Sequence, residues 1–431
     1  MTRLGLSLIL GLVWVASFGQ VTPERSLRYY IDAAKENSPL IKDYRNQSAM
    51  RQAELQRLKA MYTHSRLEVK GDYLFVPIVS RDGGRTAFKW NARDATDYYG
   101  FDLGESSGHL HAGVTWSQPL LGGSSYKVAK EQAGIDERVA DNSVRMEEHL
   151  LERSVTERYL LCLTDRIQID FADSVAALLE RQTGVVRKLA ANGMAKQSDL
   201  HLLQIEIQSN ADARAASCLS YHTHLMDLNL LCGIEDDQDV VLEETRLYAL
   251  PRPTAGPSLF SEQFRLDSLS AAASLRSFNQ QYKPRLDLFV NGGLQTGDLA
   301  GMYRRFGWSA GLTFSWTIFD GRQKRWQERQ TQLRQNTIRT YKRHTEYQRD
   351  MRISQCLSEL DGYDGRGELL KRQLGEYDSV LSGYEKEMQA GQVSVLDYIT
   401  VLRNKIQAER DYMLLQMNRQ LVIVAYNYWN W

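Results

Sequence analysis

Residues 307–323 read GWSAGLTFSWTIFDGRQ, and the first twelve of them alternate strictly between two kinds of side chain. The even-numbered residues from Trp308 to Ile318 are apolar, whereas the odd-numbered residues between them are glycine, serine or threonine. Alternation with a period of two is typical of a β-strand that has one apolar and one polar face. The stretch predicts a strand over about 307–318. The class of fold then depends on what covers its aromatic face.

Three other segments show the same alternation, at about 67–76, 109–118 and 285–294, with Phe289 as the one clear exception. Strands of this length, apolar on one side and polar on the other, fit a barrel that faces lipid and encloses water. Half-buried strands of a soluble sandwich are the alternative. The predicted lipid-facing residues are Tyr73, Phe75, Trp116, Trp308, Phe314 and Trp316.

Four strands are too few to close a barrel, because the smallest membrane barrels have about eight. Open strand edges cannot be satisfied in lipid, so the chain is expected to share its barrel with copies of itself. Two chains would supply eight strands and three would supply twelve. An eight-stranded interior is filled by side chains, and a conduit needs more width. A homotrimer with a twelve-stranded barrel is therefore favoured.

The overall composition and the N-terminal residues limit the classes of function that the chain can have. The 431 residues include 53 lysines and arginines and 53 aspartates and glutamates, and this balance argues against a nucleic-acid partner. Residues 1–19 combine Arg3, an apolar run and small residues near the end, which predicts a secretory signal peptide. No later apolar stretch approaches the roughly 20 residues of a spanning helix.

The sequence predicts no catalytic, cofactor-binding or metal site. The four cysteines lie far apart without a CxxC motif, so neither zinc binding nor redox chemistry is indicated. Export to an oxidising compartment would permit one or two disulfides, and free buried thiols fit equally well. The disulfide state therefore stays open. The four are Cys162, Cys218, Cys232 and Cys356.

The two halves of the chain repeat each other. One shift of 198 residues relates Gly193 to Gly391 and Asp199 to Asp397, and it also relates the strands at 109–118 and 307–318. A single shift that holds over such a distance indicates an internal duplication. The predicted fold is mixed and mainly α, with two repeats that each contain a strand pair and a long helical hairpin. The repeats are residues 20–257 and 258–431.

The helices of these hairpins are expected to be very long. The tracts 120–250 and 285–431 contain no proline, and a proline in a helix interior costs ~3 kcal/mol. A single chain cannot bury such rods alone, so we expect them to pack as coiled coils. Long helices are predicted at about 124–192 and 322–390, return helices at about 197–231 and 394–430, and a segment at mid-height over 232–257.

These segments, in their order and duplication, resemble the TolC family of outer-membrane efflux proteins. TFSWTIFDGRQ at 313–323 resembles the strand-to-helix junction of that family, and SLRYYIDAAKENSPLI at 26–41 resembles its opening helix. ANGMAKQSDLHLLQIEIQ at 191–208 and AGQVSVLDYITVLRNKIQAERDY at 390–412 resemble its two periplasmic tips. The resemblance covers essentially the whole mature chain. One departure is Arg66, where the family often has proline.

The resemblance implies a homotrimer whose twelve-stranded barrel lies in the outer membrane of a Gram-negative bacterium and continues as a helical tunnel across the periplasm. It further implies a passive duct of a tripartite efflux or type I secretion system, without enzymatic activity. The duct would dock to a periplasmic adaptor and, through it, to an inner-membrane pump. A secreted periplasmic coiled-coil scaffold or sensor with no transport role is the alternative function.

The same resemblance suggests site residues at the tips. Asp397 lies where relatives place a carboxylate ring at the periplasmic entrance, and such a ring would favour cations. The helix dipole alone also favours an acid near a helix N-terminus, so both interpretations stay open. Thr400 takes the position of a second acid in some relatives, and Asp199 is the first-repeat equivalent of Asp397. The expected adaptor contacts are Gly193, Met194, Gly391 and Gln392.

Overall fold

The computed structural model describes residues 24–73, 78–82, 84–89, 110–236, 240–252, 258–296, 303–304, 306–390 and 392–431. The predicted signal peptide lies outside the described residues. Two predicted site residues, Phe75 and Gly391, also lie outside them.

The chain is mainly helical, with short strands between the helices. In chain order the elements are β1 (Glu24–Arg25), α1 (Leu27–Asn37), α2 (Pro39–Thr63), β2 (Arg66–Tyr73), β3 (Ile78–Asp82), β4 (Arg85–Lys89), β5 (Leu110–Pro119), α3 (Gly123–Ala191), α4 (Gln197–Cys232), β6 (Val241–Leu242), α5 (Leu259–Phe278), a 3-10 turn (Asn279–Tyr282), β7 (Arg285–Thr296), β8 (Phe306–Ser315), α6 (Gln323–Gln389) and α7 (Val395–Trp429).

Helix boundaries follow the internal duplication closely. The 69-residue α3 ends at Ala191 and the 67-residue α6 ends at Gln389, and these two residues are related by the 198-residue shift. The return helices begin at Gln197 and Val395, which the same shift relates. No described helix combines the length and the apolar composition that crossing a bilayer requires.

The described residues fall into two compact units. The sheet unit contains the described residues of Leu40–Glu147 and Ala255–Gln348, and the hairpin unit contains those of Met1–Pro39, Glu148–Thr254 and Arg349–Trp431. Helices α3 and α6 each contribute residues to both units.

The sheet unit contains a four-stranded antiparallel sheet in the order β2, β5, β7, β8. The central pair, β5 with β7, joins the two repeats, and its register places Trp116 opposite Val290. A separate antiparallel pair is formed by β3 and β4. In the described chain the outer strands β2 and β8 are each paired on one side only, so the four-stranded sheet has two free edges.

Strand β8 ends at Ser315, three residues before the end of the alternating sequence pattern. Its last residue pairs with Arg285, the first residue of β7. The residue before Arg285 is Pro284, which has no N–H to continue the ladder. The partner strand therefore sets the end of β8, and the alternation alone predicted a strand that is too long.

The hairpin unit is held by an apolar core shared by both hairpins. Buried residues of α3 and α4 pack with buried residues of α6 and α7, as expected for helices too long to be stable alone. The core is formed by Val175, Leu179, Val186, Leu189, Leu203, Leu381, Met388, Val395, Tyr398, Ile399 and Leu402.

A short extended segment ties the middle of the hairpin unit together. Strands β1 and β6 pair in parallel, with Arg25 opposite Leu242. The hydroxyl of Tyr159, a fully buried residue of α3, lies 3.0 Å from Arg25 O and 2.7 Å from Glu243 O. Helix α4 ends at Gly233, whose φ of 64° is left-handed. A Cβ there would lie 2.8 Å from Asn37 Cβ, so the turn requires glycine.

Candidate functional site

One face of the four-stranded sheet is mainly apolar, with Gln118 opposite Leu288 as an exception. Residues opposite one another in the register share a face, and most rows across the sheet are either apolar or polar. The apolar rows contain Leu67, Val69, Val114, Trp116, Leu288, Val290, Trp308, Leu312 and Phe314.

Most of these apolar side chains are exposed in the single chain, while Trp116 and Leu288 are half-buried. The exposed fraction is 84% for Val69, 77% for Trp308 and 62% for Leu312. A contiguous apolar surface of this kind marks a site of contact with another protein or with a membrane, because exposing it to water is energetically unfavourable. The sheet therefore requires a covering layer that its own described residues do not supply.

The opposite face of the sheet is polar, and several of its positions are glycines without a side chain. One row consists of Glu68, Thr115, Asn291 and Ser309, and the next consists of Lys70 followed by three glycines. Glu68 forms ion pairs with Arg66 and, at 3.7 Å, with Lys70. A Cβ on Gly293 would lie 2.4 Å from Gly113 Cα, so glycine is needed where these two strands approach. Such a face suits a water-filled interior.

The predicted lipid-facing residues have different surroundings. Trp308 and Phe314 lie on the exposed apolar face, while Trp116 on central strand β5 is half-buried. Trp316 lies one residue beyond β8, and its indole Nε1 donates to Tyr282 O at 3.1 Å. Tyr73 pairs with Leu110 through the backbone at the other end of the sheet.

Both hairpin tips begin with the same backbone turn. Gly193 has a left-handed φ of 71°, and Met194 N donates to Leu189 O at 2.9 Å. In the second repeat Gln392 N donates to Glu387 O at 2.8 Å, which is the equivalent bond under the 198-residue shift. A bond of this type caps the end of a helix. Met194 and Gln392 are both exposed.

The tip carboxylates are engaged in helix caps. Asp199 Oδ2 accepts from Lys196 N at 3.0 Å at the start of α4. Ser394 Oγ lies 2.6 Å from Asp397 Oδ2 and accepts from Asp397 N at 3.1 Å at the start of α7. Thr400 donates to Leu396 O at 2.8 Å within α7. Asp397 and Thr400 are exposed, so neither cap hides them from a ligand.

The sequence patterns did not predict the polar contacts that hold the tips. Arg403 Nε lies 3.1 Å from Glu206 Oε1 and so connects the second hairpin to the first. Lys405 Nζ lies 2.6 Å from Asp378 and connects α7 to α6. Burial in the apolar core raises the pKa of Tyr398 to about 12, so its hydroxyl stays protonated. The only sequence signal for these pairs is opposite charge on neighbouring helices.

A second set of contacts missed from the sequence fixes the C-terminus. The amide side chains of Asn427 and Asn430 bind backbone groups of residues 248–251, and Gln420 Oε1 accepts from Leu247 N at 2.8 Å. The His149 ring stacks between those of Tyr428 and Trp431, with centroid distances of 4.8 and 4.1 Å. These contacts join residues more than 170 positions apart in sequence.

Comparison with known proteins identifies the fold. No protein-family model matches the chain, and no curated protein sequence matches it. Several solved protein structures, however, are similar to this chain. The outer-membrane channel OprN is similar with a TM-score of 0.72 and 12% identity, over 94% of this chain and 89% of that one. For CusC, described in terms of transmembrane channel formation, the values are 0.71 and 15%, over 95% and 92%.

A third similar structure is the outer-membrane protein VceC of Vibrio cholerae, with a TM-score of 0.70 and 13% identity, over 94% of this chain and 95% of that one. The fold is thus that of TolC-type outer-membrane efflux channels. The resemblance stated from the sequence is confirmed at the level of the fold.

Proposed function

We propose that the chain is one subunit of a passive export duct in the outer membrane of a Gram-negative bacterium. The observation that carries this proposal is the four-stranded sheet with one exposed apolar face and two free edges. Lipid covers an apolar face without requiring a second protein layer, and a polar face then lines water. Fold neighbours that are outer-membrane channels support the same function.

The free edges require partners, and identical chains supply them. In lipid an unpaired strand edge leaves backbone N–H and C=O groups unsatisfied, so β8 of one chain would pair with β2 of the next. Three chains give a twelve-stranded barrel, which is wide enough for a conduit, whereas a dimer gives about eight strands around a filled interior. We therefore propose a homotrimer.

The helical hairpins would continue the conduit into the periplasm and dock at their tips to an adaptor. The proposed contact residues are Gly193, Met194, Gly391 and Gln392. Gly193, Met194 and Gln392 lie where the two hairpins reverse, and Gly391 is included because the 198-residue shift relates it to Gly193. Through the adaptor the duct would receive cargo from an inner-membrane pump of a tripartite efflux or type I secretion system. No enzymatic step is proposed for this chain, because a duct only supplies a closed route.

Asp397 is the proposed entrance residue. Its carboxylate is exposed at the start of α7, and three copies around a narrow axis would select for cations. Thr400, one turn further along α7, would line the same entrance without charge, and Asp199 would occupy the corresponding place in the first repeat. The cap bond from Ser394 holds the Asp397 side chain in place.

The test compares one substitution on each face of β8. Leu312→Asp places a charge on the apolar face, which is destabilising where that face meets the hydrocarbon of a bilayer. Ser309→Asp adds the same charge to the polar face, three residues away. We expect Leu312→Asp to abolish detergent-extracted trimer and conductance in planar bilayers, and Ser309→Asp to retain both.

Two results would contradict the proposal. One is recovery of the wild-type protein from the soluble periplasmic fraction as a monomer in buffer without detergent, which would favour a scaffold or sensor. The other is equal tolerance of both substitutions, which would show that the two faces of the sheet meet the same medium.

A further inference from the structure

Charge is strongly segregated where the sheet meets the helices. Four segments lie at the end of the sheet where β2 and β7 begin and where β5 and β8 end. They are residues 57–66, 120–130, 282–285 and 318–327. Together they contain ten lysines and arginines and a single acidic residue, Asp320, although the whole chain has 53 of each sign. All ten basic residues are exposed. We call these four segments the collar.

The four collar segments lie at one end of the sheet. Arg66 at the start of β2 pairs with Ser117 near the end of β5, and Arg285 at the start of β7 pairs with Ser315 at the end of β8. Side-chain contacts link the segments to one another. The Tyr282 hydroxyl donates to Asp320, and Lys283 Nζ donates to Ser124 Oγ at 2.9 Å. Gln118, two residues before the second segment, donates through Nε2 to Thr63 O at 3.1 Å. The four collar segments therefore form one continuous surface at this end of the sheet.

Within the part of the chain that the structure describes, most of the collar charge has no counter-ion. Among the described residues, Arg57 pairs with Glu54 and Arg66 pairs with Glu68. No ion pair forms on the basic side chains at the start of α3 and α6 in the described part of the chain. These are Lys127, Lys130, Arg322, Lys324 and Arg325.

The position of these charges on the helices is unfavourable without an external anion. The first turns of α3 and α6 contain no acidic residue, whereas Lys324 and Arg325 lie in the first turn of α6. The positive end of the helix dipole disfavours cations there. Asp320, the one acid of the collar, is already used to cap α6 through Arg322 N and Lys324 N.

From β8 into α6, apolar, aromatic and basic side chains follow one another in the order in which a bilayer changes from hydrocarbon to headgroups. Phe314 on the apolar sheet face is followed by exposed Trp316 and Phe319, and then by Arg322 and Lys324. Hydrocarbon, aromatic side chains at the interface and basic side chains at the headgroups follow one another in this order in membrane proteins. The collar therefore continues the proposed lipid-facing surface directly.

We propose that the collar binds the headgroups of anionic phospholipids in the leaflet next to the helices. This inference rests on the proposed function, because it takes the apolar sheet face as the lipid-facing one. The charges are complementary, and clustered basic residues beside a membrane segment attract anionic headgroups. The collar would set the depth of the barrel in the membrane.

The experiment measures headgroup preference of the purified full chain in nonionic detergent. Phosphatidylglycerol and phosphatidylcholine with identical acyl chains are added, and bound lipids are counted by native mass spectrometry. We expect the wild type to prefer phosphatidylglycerol by about tenfold or more. The preference should fall when the salt is raised from about 0.05 M to about 0.5 M, because salt screens exposed charges.

Variants locate the binding surface. The collar variant carries Lys127→Gln, Lys130→Gln, Arg322→Gln, Lys324→Gln and Arg325→Gln, and it should lose most of the preference. A matched control removes five exposed basic residues of α6 outside the collar and should keep it. The control substitutions are Arg352→Gln, Arg366→Gln, Lys371→Gln, Arg372→Gln and Lys386→Gln.

The outcomes separate the collar from the proposed function. A wild type that is trimeric and conducts but shows no headgroup preference overturns the collar proposal alone, as does an equal loss in the control variant. Displacement of phosphatidylglycerol by equimolar inorganic phosphate would also overturn it, because the surface would then bind free anions. A wild type that is monomeric and soluble overturns the proposed function instead. If the collar variant does not fold, the salt dependence of the wild-type preference for phosphatidylglycerol still tests the proposal. A preference that does not fall at high salt would overturn it.

Discussion

The ring of Phe289 on β7 lies across Gly311, its partner on β8. The register places the two residues opposite each other, and a Cβ at Gly311 would lie 2.7 Å from Phe289 Cζ. This contact explains why an aromatic residue is found on the polar face of the sheet. The ring covers the exposed backbone of a glycine on the neighbouring strand, which has no side chain of its own to pack.

Gly311→Ala should therefore destabilise the sheet. The added methyl group displaces the Phe289 ring, and overpacking of this kind costs about 1–3 kcal/mol. The measurement is thermal unfolding of the purified protein in detergent. Phe289→Ala in the same chain makes room for the methyl group, so the double variant should be more stable than the sum of the single effects predicts. Strict additivity would show that the two side chains do not meet.

Gly193→Val should disrupt the first hairpin tip. Gly193 has a φ of 71°, and left-handed backbone costs a β-branched residue roughly 1–2 kcal/mol or more. Export of cargo and crosslinking to the adaptor should both fall at a normal level of protein. The matched control is Gly184→Ala within α3, where no atom lies within 4 Å of the added Cβ. Normal export and crosslinking in Gly193→Val would remove the tip from the proposed docking site.

The four thiols should differ in their reaction with a maleimide. All four cysteines are free, and Cys162, Cys232 and Cys356 are buried. Burial raises the pKa of Cys162 and of Cys232 to about 12, so neither thiol forms the reactive thiolate at neutral pH. Native protein should take one label, at half-buried Cys218, and unfolded protein should take four. Labelling of Cys162 before unfolding would contradict this arrangement.

The C-terminal stack should weaken at acid pH. Burial lowers the pKa of His149, and the charged groups around it are Glu152, Lys35 and Arg153. Because the folded-state pKa lies below the unfolded value of about 6.5, the contribution of His149 to stability is complete above that value. It is lost as the pH falls below about 6.5 toward the lower folded-state pKa.

The check is the thermal midpoint at several pH values between about 7.5 and about 5. His149→Phe keeps an aromatic ring in the stack but cannot be protonated, so its midpoint should fall less with acid than that of the wild type. His201→Gln replaces an exposed histidine and should behave like the wild type. An unchanged pH dependence in His149→Phe would show that His149 does not carry the effect.

The sequence could predict the strands, the long helices and both tips because each has a local signal. The alternation around Trp308 depends only on neighbouring residues, and the tips repeat the same glycine and aspartate after 198 residues. The end of β8 could not be predicted in this way, because it depends on Pro284 in the partner strand. The register between the strands carries that information.

The contacts at the C-terminus had no local signal at all. Asn427 and Asn430 resemble ordinary helix-surface residues, and only the path of residues 247–251 gives them partners. The same holds for Arg403 and Glu206, which belong to different hairpins. Pairings over such separations are decided by packing of the helices, which no single stretch of sequence specifies.

The most direct test of the account measures what each face of β8 contacts. Nitroxide labels are attached singly to Leu312→Cys, Phe314→Cys, Ser309→Cys and Thr313→Cys in a Cys218→Ser background, in protein reconstituted into lipid. Collision rates are then measured with oxygen, which partitions into lipid, and with a water-soluble nickel chelate. Labels at 312 and 314 should collide mainly with oxygen, and labels at 309 and 313 mainly with the chelate. If labels at 312 and 314 are protected from both reagents, protein rather than lipid covers the apolar face, and the account is contradicted.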